Sequence, residues 1–274
     1  MKQQVLTLLI YVTILYSGTV SLQAQSQTSE KEPLFFQTYT IEDGLADNWV
    51  RDIEQDDQGF LWFATQSGIN RFDGYEFETF KNDPQDSTTL SSNEAYDILI
   101  DQENNVWVVT LDGVGRFNKR TQRFELINTI QSQIVNPLPL LDILLYESID
   151  GTIWVGSQDG LARFDPEIQA FQSVGADSAA GDVLSNTSVT SITESEDGRL
   201  WIGTFGGGIN ILEPETGRIT YMRHDPENPE SIPDDYLLNL FIDNDQVLWV
   251  NYDRRENLFV IFTSEEEPGS PSGQ

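Results

Sequence analysis

The sequence predicts an all-β protein, a β-propeller of about five four-stranded blades, and a repeat built on tryptophan is the main reason. Five of the six tryptophans stand 45, 47, 47 and 48 residues apart. A period in the forties with a fixed aromatic residue is typical of propeller blades, because four strands of about six residues and their turns use that length. The five residues are Trp62, Trp107, Trp154, Trp201 and Trp249.

The residues around these tryptophans recur as well. In the tryptophan strand of the first copy, apolar side chains occupy both faces, so the sheet needs a neighbour on each side, as blades around an axis have. A two-sheet sandwich would leave one face polar. The copies are GFLWFATQSGINRFD from Gly59, NNVWVVTLDGVGRFN from Asn104, GTIWVGSQDGLARFD from Gly151, GRLWIGTFGGGINILE from Gly198, and a divergent fifth, QVLWVNYDRRENLFVIF, from Gln246.

Each copy divides into four strands joined by short turns. In the first copy we expect strands at residues 50–54, 60–65, 69–73 and 76–80. The turn DDQG precedes the tryptophan strand, and a glycine six residues after the tryptophan fits a hairpin that needs a positive φ. These glycines are Gly68, Gly113, Gly160 and Gly207.

The fifth copy supplies three strands only, predicted at residues 236–243, 247–252 and 258–262. Residues 34–40, LFFQTYT, stand before the first copy in the phase of a fourth strand. We expect them to complete the last blade and close the ring, which would remove two exposed sheet edges, with an open arc as the alternative. Three segments rich in Asp, Pro, Ser and Asn are predicted to be loops at one rim, namely residues 81–93, 128–140 and 224–235.

The two ends of the chain differ in composition from the repeats. A lysine, an apolar run and small residues predict a signal peptide over residues 1–24, with an uncleaved membrane anchor as the alternative. Beyond it we expect a polar leader at residues 25–33, the propeller at 34–263 and a polar tail at 264–274. The mature protein is therefore expected in the periplasm or outside the cell.

Composition narrows the classes of partner. The chain has 45 acidic and 15 basic residues and a net charge of -30, so its surface repels phosphate backbones and nucleic acid is not an expected partner. There is no cysteine, which excludes a disulfide framework. An aromatic content of 11% together with the periodic apolar residues favours a packed core over disorder.

Details beyond the tryptophans resemble a known repeat. The first copy, GLADNWVRDIEQDDQGFLWFATQSGINRFDGYEFETF, is similar to the two-component regulator propeller repeat, with its GL-S-x-N-x-V start, D-x-x-G turn, L-W-I-G-T strand and G-L-x-R-F/Y-D strand. The linkers NDPQDSTTLSSN and HDPENPESIPDD resemble that family's segments between blades, although the second lacks the usual Leu-Ser. The resemblance covers residues 34 to about 262.

This resemblance implies the exported sensor region of a hybrid histidine kinase, a region that in many relatives detects oligosaccharides. The expected ligand is an oligosaccharide or other small molecule, and the expected protein partners are a membrane kinase region or a second propeller. We expect this chain to carry the sensing part alone and no enzyme activity, cofactor or metal site. The alternatives are a protein-interaction propeller and, less favoured, a propeller glycosidase or lyase, since fold does not fix function.

Two recurring sets of charged residues have a structural and a ligand-binding interpretation. Acidic turns precede every tryptophan; turn formation explains them better than calcium binding, because no copy has the later bidentate Glu. Arginines nine residues after three tryptophans could clamp an anionic sugar, but their recurrence favours ion pairs within the blades. These arginines are Arg71, Arg116 and Arg163.

The candidate ligand-binding residues lie in the segments that lead into the tryptophan-bearing blades. Strand residues are committed to packing, so specificity is expected from residues that break the repeat. Trp49 stands where other copies have Glu94, Ser188 and Tyr236, and an aromatic residue there suits stacking on a sugar, with an apolar plug between blades as the alternative. The predicted set is Asn48, Trp49, Arg51, Asn93, Tyr96 and Tyr236.

Overall fold

The computed structural model describes residues 36–129, 143–175, 182–253 and 259–263. These residues form strands and turns, with one short 3-10 turn at Ile41–Asp43. None of the helical structure in these ranges is long and apolar enough to cross a membrane. The predicted signal peptide, polar leader and polar tail lie outside the described residues.

Within the described ranges nineteen strands build five consecutive antiparallel blades, and blades 2 and 3 join at their outer strands into one eight-stranded sheet. Blade 1 contains β1 (Val50–Gln55), β2 (Leu61–Thr65), β3 (Gly68–Phe72) and β4 (Phe77–Phe80). Blade 2 contains β5 (Ala95–Ile100), β6 (Val106–Thr110), β7 (Gly113–Asn118) and β8 (Arg123–Thr129). Blade 3 contains β9 (Leu144–Glu147), β10 (Ile153–Ser157), β11 (Gly160–Asp165) and β12 (Ala170–Val174). Blade 4 contains β13 (Val189–Glu194), β14 (Leu200–Thr204), β15 (Gly208–Glu213) and β16 (Arg218–Met222), and blade 5 contains β17 (Leu237–Ile242), β18 (Val247–Tyr252) and β19 (Phe259–Thr263).

The first strand of each blade packs against the first strand of the next, from β1 through β5, β9 and β13 to β17. These five strands are therefore the innermost ones, and the fourth strands lie at the outer edge. The outer strands of blades 2 and 3 also pair directly: Asn128 and Thr129 of β8 lie parallel to Ala170 and Phe171 of β12. This pairing covers two exposed sheet edges.

The four predicted strands of the first copy are confirmed, and each strand end lies within one residue of its predicted position. The loop predicted at residues 128–140 begins later, since β8 runs to residue 129, and residues 130–142 lie outside the described ranges. Closure by residues 34–40 is not confirmed. Residues 36–40 form no strand, residues 34 and 35 are not among those described, and the fifth sheet has the order β17-β18-β19.

Each buried tryptophan is covered by the blade that follows it. Trp62 is completely buried among apolar residues of blade 2, and its ring meets the edge of Phe117 at 5.0 Å. Trp107 meets Phe164 of blade 3 in the same way at 4.9 Å. Trp154 is buried with apolar residues of blade 4. The contact between consecutive blades is therefore an aromatic and aliphatic core, the kind of packing that dominates folding stability.

The prediction that all five tryptophans are buried is wrong at the end of the repeat. Trp201 is half-buried against blade 5, and Trp249 is 36% exposed. Phe241, in the same sheet as Trp249, is 59% exposed. No further blade follows blade 5 within the described residues, so this face of the sheet lacks the neighbour that buries the earlier tryptophans.

The acidic turns form hydrogen bonds with the tryptophans of the repeat. In every blade the indole N–H donates to a side-chain oxygen six residues earlier, in the turn that precedes the tryptophan strand. This bond gives each buried indole its partner and confirms the interpretation of these segments as structural turns. The acceptors are Asp56 (3.1 Å), Asp101 (2.7 Å), Ser148 (3.2 Å), Ser195 (3.2 Å) and Asp243 (2.8 Å).

The same turns also link neighbouring blades. In blades 1 to 4 the second residue of the turn donates its backbone N–H to a side chain of the next blade, so the turn fixes both the tryptophan and the blade spacing. The four bonds run from Asp57 to Asn104 (3.2 Å), from Gln102 to Glu147 (2.9 Å), from Ile149 to Glu194 (2.7 Å) and from Glu196 to Gln246 (3.0 Å).

The predicted positive φ is found at three of the four hairpin glycines. Gly68, Gly113 and Gly160 have φ values between 132° and 138°. In blade 4 the prediction for Gly207 is wrong, because the hairpin is one residue longer and Gly206 and Gly208 take the positive φ instead. Gly207 is needed for a different reason, namely space. A Cβ there would lie 2.5 Å from the Ser185 hydroxyl of the segment leading into blade 4.

Two carboxylates on the innermost strands bond the following blade. Asp52 accepts the backbone N–H of Ile98 at 2.9 Å, and Asp97 accepts that of Leu145 at 2.5 Å. Burial disfavours the ionised carboxyl of Asp97, and the neighbouring Asp52 charge adds to this effect, so the pKa of Asp97 is raised well above its ordinary value of 3.8. The pKa of Glu54 is raised for the same two reasons.

Removing the acceptor in one turn should destabilise the whole fold. In Asp101→Ala the buried indole N–H of Trp107 and two N–H donors of Asn105 lose their partner. We expect a loss of about 1 to 3 kcal/mol in the free energy of unfolding, measured by urea denaturation. Asp101→Asn keeps one of the two oxygen acceptors and should recover part of this loss. Glu103→Ala, an exposed change in the same turn, is the control; an equal loss in both alanine variants would contradict the indole bond.

Asp97 should make stability depend on pH. A carboxyl whose pKa is raised by folding contributes stability that is fully present below its unfolded pKa and is lost as pH rises through the folded pKa. Asp97→Asn keeps the acceptor for Leu145 and carries no charge. We therefore expect it to raise the melting temperature at about pH 7.5 and to lose this advantage towards about pH 4.

The control for that experiment is Glu215→Gln, which removes one charge from an exposed turn. It separates the local effect at Asp97 from relief of the net charge of -30. A gain that is equal in the two variants, or that does not change with pH, would contradict the assignment to Asp97.

Candidate functional site

The described segments that lead into blades 1, 2, 4 and 5 form the same turn. At its centre one residue donates its backbone N–H to a side-chain oxygen two residues upstream, an arrangement that Asp, Asn and Ser favour. We call the four residues the rim positions. The bonds run from Trp49 to Asp47 (2.9 Å), from Glu94 to Ser92 (3.3 Å), from Ser188 to Asn186 (2.9 Å) and from Tyr236 to Asp234 (3.2 Å).

The carbonyl group of each rim position is fixed as well. It accepts the backbone N–H of the residue four positions after the tryptophan, in the hairpin between the second and third strands. The donors are Gln66 (3.3 Å), Leu111 (2.9 Å), Phe205 (2.8 Å) and Asp253 (2.9 Å). Both backbone groups of a rim position are therefore used by the fold, and its side chain alone is left to vary. Trp49 is 65% exposed and Tyr236 is 49% exposed.

Arg51 and Tyr96, two of the predicted site residues, lie together. The guanidinium carbon of Arg51 is 4.1 Å from the centre of the Tyr96 ring. Its Nη2 donates to the carboxylate of Glu94 at 2.7 Å, and its Nη1 donates to the carbonyl of Ala95 at 3.2 Å. The pKa of the Tyr96 phenol is raised, and burial is the main cause. The cluster bridges blades 1 and 2. One of its members, Glu94, is a rim position, and Arg51 follows the rim position Trp49 by two residues.

The other predicted residues have separate surroundings. The side-chain oxygen of Asn48 accepts the N–H of Ile41 at 3.0 Å, and that of Asn93 accepts the N–H of Asn82 at 2.7 Å. These two amides shape the loops. Tyr236 lies at the boundary of blades 4 and 5, where its ring meets the edge of Phe205 at 5.1 Å.

The arginines that recur after the tryptophans are used within the blades. Arg71 pairs with Glu78 at 2.5 Å, across the register of β3 and β4. Arg116 pairs with Glu125 at 3.1 Å, across the same register in blade 2. Each guanidinium also lies over the ring of its own blade's tryptophan. For these two arginines the structural interpretation holds, whereas Arg163 is exposed.

Sequence reasoning missed two features of this rim. Glu94 was recognised as a rim position but not as the partner of Arg51. The turn itself was also missed, although its signal was present: an Asp, Ser or Asn stands two residues before each rim position. The carboxylate of Asp47 illustrates the turn's electrostatics, since the N–H of Trp49 and the hydroxyl of Ser67 lower its pKa.

Comparison with known proteins agrees with this architecture. Residues 44–67 and 183–206 match the repeat described as Two component regulator propeller. Both segments contain the lead-in turn and the tryptophan strand of their blade. A stretch of 83 residues, 30% of the chain, is 41% identical to Histidine kinase P4 of Formosa agariphila and spans 6% of that protein.

Two solved structures from B. thetaiotaomicron share the fold. The extracellular domain assigned to the hybrid two component system BT3049 is 27% identical, with a TM-score of 0.69 over 85% of this chain and 31% of that one. The corresponding domain of BT4673 is 20% identical, with a TM-score of 0.60 over 75% of this chain and 26% of that one. The chain thus spans less than a third of each relative. The resemblance predicted from the sequence is confirmed: this chain carries two-component regulator propeller repeats.

Proposed function

We propose that this chain is the ligand-sensing propeller of an exported two-component sensor and that it binds an oligosaccharide at the rim formed by the lead-in turns. Its similarity to extracellular domains of hybrid two component systems supports the sensing role and a location in the periplasm or outside the cell. Its partner would then be a membrane kinase region or a second propeller.

The observation that carries the binding site is the exposure of Trp49. Two backbone hydrogen bonds hold this residue, yet 65% of its surface faces solvent. An exposed indole on a fixed backbone loses little conformational freedom on binding, which favours affinity. The same turn in blade 5 presents Tyr236, also half exposed. Exposed aromatic residues on rigid turns are typical of recognition surfaces.

The neighbouring groups suit a sugar. A sugar ring offers C–H groups to an aromatic face and hydroxyl groups to polar side chains. In addition to Trp49, the lead-in segments of blades 1 and 2 carry Arg51 and Tyr96, which lie together, and the loops contribute the amides of Asn48 and Asn93. In this proposal Trp49 stacks on the ring, and the polar side chains orient it. The family's oligosaccharide-sensing role points in the same direction.

Loss of the exposed indole should weaken binding without affecting the fold. We expect Trp49→Ala to reduce the affinity for a bound oligosaccharide by roughly 1 to 3 kcal/mol, the scale of an aromatic contact, in calorimetric titrations against an oligosaccharide panel. The matched control is Tyr75→Ala, which removes an aromatic residue that is 90% exposed in the turn between β3 and β4. Unchanged affinity in a folded Trp49→Ala, Tyr96→Ala double variant would move the site elsewhere.

The bound oligosaccharide should be released unchanged. We expect no new reducing ends or unsaturated products when the purified protein is incubated with the same panel. Turnover that is abolished by a single Asp or Glu substitution would contradict the proposal and favour a glycosidase or lyase, which needs two carboxyl groups about 5 to 10 Å apart.

A further inference from the structure

The charged groups around the rim indicate which ligand charge the rim can accept. Arg51 follows the rim position Trp49 by two residues and pairs with the rim position Glu94, and its side chain is only 17% exposed. Glu94 neutralises it at 2.7 Å, Ala95 accepts a second hydrogen bond, and Tyr96 covers one face of the guanidinium. A ligand carboxylate would have to compete with Glu94 for Arg51.

No other blade supplies a cation at this place. The residues that correspond to Arg51, eleven positions before each tryptophan, are uncharged: Tyr96, Ile143, Thr190 and Leu238. Close to the lead-in turn of blade 5, Arg223 also faces a carboxylate, since it pairs with Asp235 at 3.2 Å.

Negative charge accompanies both exposed aromatic residues. Asp47 and Asp234 cap the turns that present Trp49 and Tyr236, and hydrogen bonds lower the pKa of Asp47, so it stays ionised at neutral pH. The whole chain adds a net charge of -30. An anionic ligand therefore approaches a repulsive field, and the two arginines near the lead-in turns, Arg51 and Arg223, are already paired.

From these observations we infer that the rim takes an uncharged oligosaccharide and rejects acidic ones, with Glu94 as the residue that enforces the discrimination. The inference rests on the proposed function. Glu94 acts in two ways: it pairs with the guanidinium that a carboxylate would bind, and it adds its own negative charge at the rim position of blade 2. Aromatic stacking and hydrogen bonds to hydroxyl groups then supply the affinity for a neutral sugar.

The test compares matched ligands and matched variants. Acidic oligosaccharides are titrated beside their methyl-esterified, uncharged forms, together with neutral oligosaccharides, at low and at physiological salt. We expect the wild-type protein to prefer the uncharged form of each pair, with an affinity that salt hardly changes. Glu94→Gln frees Arg51 and should improve the affinity for the acidic form relative to the uncharged form by roughly tenfold.

The control is Glu125→Gln, which frees Arg116 in the same chemical manner but away from the lead-in turns; its selectivity should equal that of the wild type. A wild-type protein that prefers the acidic forms would overturn this inference and leave the proposed function standing. So would unchanged selectivity in a folded Glu94→Gln variant. If the protein bound no member of the panel, that result would instead contradict the proposed function, and this inference with it.

Discussion

The hydrogen bond from each tryptophan to the turn before it is the interaction on which the rest of the structure depends. A buried indole needs an acceptor for its N–H, and a turn beginning with Asp or Ser supplies one six residues upstream in every blade. The same turn donates a backbone N–H to the next blade. One short segment thus fixes the tryptophan, the first hairpin and the spacing of the blades. Stability is accordingly a sum over neighbouring blades, as in other repeat proteins.

This arrangement decides where variation is tolerated. Residues of the first two strands are used for packing between blades, and the acidic turns are used at one end of them. At the other end, the lead-in turn ties down the N–H and the carbonyl of the rim position but leaves its side chain free. The side chains at the rim positions can differ in size and charge because none of them is needed to hold the turn. The residues found there are Trp49, Glu94, Ser188 and Tyr236. A binding site is most easily built at such positions.

The sequence was sufficient for the fold because the repeat combines several consistent signals: period, alternation, turns and a fixed aromatic residue. It was insufficient where the outcome depends on neighbours in space. The burial of a tryptophan is provided by the following blade, so the same residue is buried as Trp62 and exposed as Trp249. The one-residue extension at Gly206–Gly208 depends on how closely the blade 4 lead-in segment approaches. The partner of Arg51 lies 43 residues away, a distance that spacing within one blade cannot reveal.

The arginine–glutamate ion pairs are of two kinds: some recur with the blades, and one lies outside the repeat, among the candidate site residues. Arg71–Glu78 and Arg116–Glu125 occur at the same register in consecutive blades, so each is explained by the repeat and needs no ligand. Arg51–Glu94 joins two different positions of two blades, and the corresponding residues of the other described blades form no such pair. A pair outside the repeat must be explained locally. Arg51 follows the exposed Trp49 by two residues and Glu94 is itself a rim position, so in the proposed site this pair would set the charge of the surface on which a sugar rests.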